Sequence, residues 1–211
     1  MVSRGLFITF EGGDGAGKST LIKGLYHLLE DRGELVLQTR APGGTFIGGR
    51  IRSLLLENKN PLNDRCELFL FLADRAQHMQ EVIFPALAEG KTILCDRFND
   101  STIAYQGVAR GLDPDKVNSF CLFATEERVP DLTFYLDISP EIGLTRTLHK
   151  TGETDRIESE SLDFHEKIRQ AFLHIAQKDP KRVRVLDATK SPEDLLQQAM
   201  KQIDDIFISR R

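Results

Sequence analysis

Cysteine is scarce in this chain of 211 residues, and its three copies, Cys66, Cys95 and Cys121, stand apart from one another. An odd, isolated set without metal-ligand spacing argues against a disulfide framework or a zinc site, and reads as reduced packing residues of a cytoplasmic protein. No apolar run approaches the roughly 20 residues a membrane-spanning helix needs. Met1 to Gly5 leads straight into a strand-like run, so no signal peptide is expected. Basic residues form no block long enough to follow a nucleic-acid backbone, and the net charge is −4 with 28% charged residues, which argues against DNA or RNA as a partner. Any anionic ligand must therefore be held by local groups. The length suits one α/β domain over 1–211 rather than two.

What the chain does have is glycine concentrated in one place. Gly12, Gly13, Asp14, Gly15, Ala16, Gly17, Lys18 and Ser19, followed by Thr20, fit G-x-x-x-x-G-K-[ST], the phosphate-cradling P-loop. Leu6 to Phe10 is an apolar run before it, and Leu21, Leu25, Leu28 and Leu29 follow at helical spacing. The motif thus sits where a strand turns into a helix. Its glycines let consecutive N–H groups face phosphate oxygens, and the helix start adds its positive end. Lys18 is expected on the β- and γ-phosphates, and the Ser19 hydroxyl on a Mg²⁺ ion bridging them. A Gly-rich turn matching by accident is the bland alternative, and the strand and helix flanks count against it.

Strand-like runs recur at 35–39, 91–96, 132–137 and 183–187. Helical periodicity covers about 17–31, 46–57, 64–89, 113–125, 139–148, 161–178 and 192–208. The alternation predicts an α/β fold of five parallel strands with helices on both faces, of the P-loop NTPase type. The polar stretch His149 to Arg156 has no apolar period and reads as a mobile loop, a short lid over about 149–157. In the long helix 64–89, with a bend expected at Pro85, Phe71 and Arg75 share one face four residues apart. Phe71 fits either core packing or a ligand ring. Arg75, on the apolar side, calls for an anionic partner. Asp96 ends the third strand as a Walker-B-like carboxylate or as a salt-bridge partner of Arg97. Ser101, Tyr105 and Gln106 follow on a helical turn near the same sheet edge, where open α/β sheets bind ligands.

No D-x-x-G follows the P-loop, and Asn58-Lys59-Asn60-Pro61 lacks the aspartate of a guanine-reading N-K-x-D, which weakens a GTPase reading. Arg40, Arg75 and Arg97 instead come from three segments toward one edge, enough for a second phosphorylated ligand facing the nucleotide. Phosphoryl transfer between two bound nucleotides is favoured. Another nucleoside monophosphate or deoxynucleoside kinase, or a non-catalytic P-loop binding protein, remains open on the residues alone.

Along nearly its whole length the chain resembles the bacterial thymidylate kinases of the P-loop nucleoside monophosphate kinase family. The resemblance runs through Phe10 to Thr20, Thr39 to Thr45, Ala73 to His78, Asp96-Arg97-Phe98 with Ser101 and Ala104 to Gly107, and Asp155 to Glu158. It implies ATP + dTMP → ADP + dTDP with Mg²⁺, feeding dTTP synthesis, and a homodimer. It also implies roles. Asp14 lies near the acceptor sugar and metal, Phe71 stacks on thymine, and Arg75 and Gln106 meet the base. Arg40 and Arg97 hold the acceptor phosphate, with Ser101 lining the same site, and Tyr105 crowds the 2′ position. Arg146 lies against adenine, bordered by Ala188 to Lys190. Asp155 and Glu158 occupy lid positions linked to sugar or metal contacts. Two departures stand out. Ala41 replaces a glutamate common in bacterial members, and Gly15-Ala16 replaces the P-loop arginine of one branch. The other branch carries several lid arginines, yet Leu148 and Lys150 stand at two of those positions. Arg156, with Lys18, Arg97 and Asp14, is then the expected catalytic set, and Ser19 with Asp96 the expected metal set.

Overall fold

The computed structural model describes residues 5–57, 62–151 and 155–209, apart from the side chains of 150, 151 and 209. Five strands, β1 (Phe7–Glu11), β2 (Val36–Arg40), β3 (Thr92–Asp96), β4 (Leu132–Asp137) and β5 (Val183–Asp187), form one parallel sheet in the order β2-β3-β1-β4-β5. The three central strands are nearly all apolar because both faces are covered. Alternation along β1 divides its side chains: Ile8 and Phe10 pack with Leu25 and Leu29 of α1 (Lys18–Asp31), while Phe7 packs with Met79 and Ile83 on the other face. α9 (Pro192–Ser209) joins the first layer through Leu195, Ala199 and Ile203.

On the second face, α2 (Phe46–Leu56) precedes α3 (Asp64–His78), which continues through a π-helical turn, Met79–Ile83, into α4 (Phe84–Ala88). The long helix expected over 64–89 is therefore one path with a π segment just before Pro85, whose missing N–H and ring disturb the preceding turn. α5 (Asn99–Thr102) likewise runs into a π-helical turn, Ile103–Ala109, carrying Tyr105 and Gln106. α6 (Pro114–Ala124), α7 (Pro140–Thr151) and α8 (Leu162–Lys178) complete the layers. The five-stranded parallel architecture is the one the alternation predicts.

The lid reading needs correction at its start. α7 extends to Thr151, so His149 to Thr151 belong to a helix rather than a loop. Residues 152–154 and the Lys150 side chain lie outside the described residues. Asp155 to Ser159 form turns in which Asp155 accepts the N–H groups of Ile157 and Glu158 at 2.8 and 2.9 Å, and Glu158 returns a bond to the Asp155 N–H at 3.0 Å.

Candidate active site

The P-loop lies between the carboxyl end of β1 and α1. Gly12, Gly15 and Gly17 take φ of 139°, 71° and 93°, and Gly17 caps α1 without a side-chain bond, leaving the N–H groups of that end for a ligand. Gly15 has a second reason to be glycine: a Cβ there would come within 2.0 Å of the Gly143 carbonyl oxygen on α7. That packing leaves no room for an arginine at position 15, and Ala16 is buried.

Two cavities meet at the loop. One is lined by Gly15 to Thr20, Arg40, Asp96, Arg146, Ala188 and Lys190; the other by Phe71, Arg75, Ser101, Tyr105, Gln106 and Asp155. Asp14, Ala41, Arg52, Arg97 and Glu158 line both. Arg40, expected with Arg97, lines only the P-loop side of this pair.

Lys18 is folded back on the loop, its Nζ donating to the carbonyls of Gly12 and Gly13 at 3.0 and 2.8 Å. Burial lowers its pKa, and the neighbouring Arg97 adds to the effect. Arg97 sits at φ 68° and donates to Asp14 at 2.7 Å, to the Tyr105 hydroxyl at 3.1 Å and to Ser101 at 3.4 Å. Burial works to raise the Asp14 pKa, yet the charges of Arg97 and Lys18 hold it below the usual carboxylate range. Burial pushes the Tyr105 hydroxyl up, so it stays protonated. The alternative partner proposed for Asp96, Arg97, is thus taken by Asp14. Asp96 Oδ1 is buried without a hydrogen-bond partner.

Arg75 corrects an expectation. It is 2% exposed, yet among the described residues no carboxylate lies within ion-pair distance of it. NH1 donates to Asn99 Oδ1 at 2.6 Å, the guanidinium lies 4.4 Å from the Phe98 ring centroid, and Nε has no partner. Within the chain its partners are thus a neutral amide and an aromatic face rather than the expected anionic group.

Arg156 also departs from the phosphate-facing role. Its Nε donates to the Leu55 carbonyl at 2.9 Å and NH2 to Glu67 at 2.5 Å, and it does not line the P-loop cavity. Arg146 does, donating to the Ala188 carbonyl at 3.2 Å.

The Thymidylate kinase family model matches residues 10–199. The chain belongs to the thymidylate kinase family. Thymidylate kinase of Protochlamydia amoebophila is 50% identical over 210 residues, covering 96% of this chain and 93% of that one. The Desulfovibrio desulfuricans protein is 46% identical over 213 residues, 98% of each chain. The crystal structure of thymidylate kinase from Ehrlichia chaffeensis matches with a TM-score of 0.77 at 32% identity, over 94% of this chain and 98% of that chain.

Against this family background, two site residues escaped the sequence reading. Arg52 lines both cavities, half-buried, and donates to the Pro42 carbonyl at 3.1 Å. Burial and the charges of Arg40 and Arg97 lower its pKa, the mark of cations gathered for an anion. The helical periodicity over 46–57 carried no mark that set it apart as a site residue. Glu67 was missed too; its spacing to Phe71 and Arg75, one and two helical turns on, was the available signal.

Proposed function

We propose that this thymidylate kinase family member transfers the γ-phosphoryl group of ATP to the 5′-phosphate of dTMP. The supporting observation is the pair of cavities that share Asp14, Arg52 and Arg97. A donor nucleotide on the P-loop, with adenine against Arg146, would point its γ-phosphate at that junction. An acceptor nucleotide in the second cavity would bring its own phosphate there from the opposite side.

The second cavity suits a pyrimidine with a 2,4-dione edge. Arg75 offers donors, with Nε free of partners. Gln106 donates its amide nitrogen to Glu67, and its carbonyl oxygen has no hydrogen-bond partner among the described residues. Donor beside acceptor complements O4 and N3–H of thymine, whereas cytosine carries the reverse pattern. Phe71 supplies a ring for stacking, and Tyr105, tied to Arg97, closes the sugar side.

In transfer, an acceptor phosphate oxygen attacks the γ-phosphorus in line as the bond from that phosphorus to the bridging oxygen breaks and ADP leaves, and negative charge spreads over the equatorial oxygens and the bridging oxygen. Loop N–H groups, Lys18, Arg52 and Arg97 would meet that charge, Lys18 leaving the Gly12 and Gly13 carbonyls to do so. Ser19 and Asp96 would hold Mg²⁺, which would supply charge neutralisation for the donor phosphates. The unpartnered Asp96 Oδ1 and the hydroxyl of Ser19 in the same cavity fit a hard cation that takes its other ligands from phosphates and water.

The chain is further read as a cytoplasmic homodimer. Its three thiols are free, as in a reducing compartment. Phe69, Phe120 and Phe123 on α3 and α6 are 58%, 44% and 85% exposed, and the first two rings are 6.4 Å apart. So much aromatic surface in one place suits a second copy. Steady-state transfer from ATP–Mg²⁺ to a panel of nucleoside monophosphates tests the reaction. Turnover with dTMP, weaker with dUMP and weaker still with dCMP is expected; preference for another monophosphate, or ADP release without an acceptor, would reject it. Sedimentation of the parent chain and Phe123→Asp tests the dimer.

A further inference from the structure

We propose that Glu67 is a positioning residue for base recognition, its carboxylate fixing which end of the Gln106 amide faces the acceptor cavity. This rests on the reading that the base lies against Gln106. Glu67 sits on α3 one turn before Phe71 and two before Arg75, on the face turned to the cavity, but lies behind it at 1% exposure. The Gln106 side chain, 1% exposed, donates Nε2 to Glu67 Oε1 at 2.8 Å. An ionised carboxylate can only accept. The amide nitrogen must therefore turn to Glu67, which leaves the carbonyl oxygen for the ligand.

The carboxylate is held ionised and in place. Arg110 donates to it from Nε and NH2, both at 3.3 Å, and Arg156 from NH2 at 2.5 Å. Arg110 is itself fixed by Glu160 at 2.5 Å and by the Phe164 ring, 4.5 Å from its guanidinium. Burial opposes the charge, but the Gln106 and Arg156 hydrogen bonds and the Arg110 charge hold the Glu67 pKa below the usual carboxylate range. With two guanidinium groups and an amide occupying its lone pairs, the carboxylate has no freedom to release Gln106. An amide with no such neighbour could present either end, and would welcome cytosine as readily as thymine. The same carboxylate takes Arg156 from the turn at the carboxyl end of the expected lid, so that segment and the base-reading amide share one anchor.

The test is kcat/KM for dTMP, dUMP and dCMP in the parent chain, Glu67→Gln and Gln106→Ala. Glu67→Gln keeps the shape but lets its own amide face either way. Its dTMP-over-dCMP preference should narrow by about tenfold or more, chiefly through KM for dTMP. Its dTMP-over-dUMP ratio should stay put, since both bases carry N3–H and O4. A merely structural role would lower turnover with all three substrates alike, and that result overturns the proposal. If Gln106→Ala narrows the dCMP ratio and Glu67→Gln does not, Glu67 is rejected while the base site stands. If neither moves it, the base is not read at Gln106 and the underlying reading falls as well. Should Glu67→Gln fail to fold, Glu67→Asp carries the same test, because it keeps the charge for both arginines while withdrawing the oxygens from the amide by one methylene.

Discussion

At the phosphate end of the site, one unbroken stretch from Asp14 to Leu21 lines the cavity. At the base end, Gln106 and Glu67 are 39 residues apart and meet only because the π-helical turn packs beside α3. The two ends fail differently. A backbone cradle depends on close approach, so it excludes side chains: Gly15 lies against Gly143, and on the proposed reaction Lys18, Arg52 and Arg97 would supply charge for the transferring group. A pocket made of side chains depends on chains of hydrogen bonds, in which each group is oriented by the one behind it.

The largest effect should follow from emptying the cradle of its one mobile cation. Lys18→Ala is expected to lower kcat by about a thousandfold or more. The side chain also bridges the Gly12 and Gly13 carbonyls, so the variant should fold with a lower Tm rather than an unchanged one. Near-normal turnover would remove Lys18 from the chemistry. Next comes Arg52→Ala, with a kcat loss of about a hundredfold because it faces both cavities. Arg156→Ala should cost less than about tenfold in kcat, its loss appearing in KM for dTMP through Glu67. If those two variants exchanged places, the arginine at the end of the lid would be the one that reaches the phosphates.

A smaller but sharper effect concerns the absent P-loop arginine. Gly15→Arg introduces a P-loop arginine like that of the first branch described above, yet here its Cβ would press on the Gly143 carbonyl at a backbone φ of 71°. Overpacking of this kind costs about 1–3 kcal/mol. The variant should melt earlier and turn over more slowly than the parent, as measured by calorimetry and kcat. A gain in kcat would mean that α7 can yield, and that the cradle accepts side chains after all.

The phosphate end was legible because its information is local. Glycine spacing, the flanking strand and helix and Lys18-Ser19 are all read within one window, and the five parallel strands follow from periodicity over similar lengths. Arg75 was expected to need an anion, and nothing near it in sequence reveals that Asn99 and the Phe98 ring take that place. Arg52 was hidden in a helix pattern that carries no mark setting it apart as a site residue. The boundary of α7 was placed early because His149 to Thr151 carry no apolar period, although helix continues through them. Arg156 looked free for phosphates because its partners, Glu67 and the Leu55 carbonyl, belong to distant segments.

Glu11 joins the two ends, and its titration measures that joint with the smallest effect. It closes β1 just before the cradle, fully buried, and accepts from the Phe98 N–H at 2.7 Å and the Ser101 hydroxyl at 2.5 Å. Those groups follow Arg97 by one and four residues and so tie its segment to β1. Burial, reinforced by Asp100, pushes the Glu11 pKa from 4.5 up to about 7, against the pull of Ser101 and Arg97. The folded chain thus holds this proton more tightly than the unfolded one. Its stabilising contribution is complete below about pH 4.5 and is lost as the pH rises through about 7. His78 acts in the opposite sense: burial, with Arg75, lowers it from 6.5 to about 4, so its contribution is complete above 6.5 and is lost as the pH falls. The parent curve therefore blends opposing slopes, and the difference between Glu11→Gln and parent isolates one of them. That difference in Tm should move in favour of the variant between pH 4.5 and 7 and level off above. A difference constant across the range would mean that Glu11 ionises in the folded chain as an exposed carboxyl does, and that the cradle strand and the Arg97 loop are not joined through a proton.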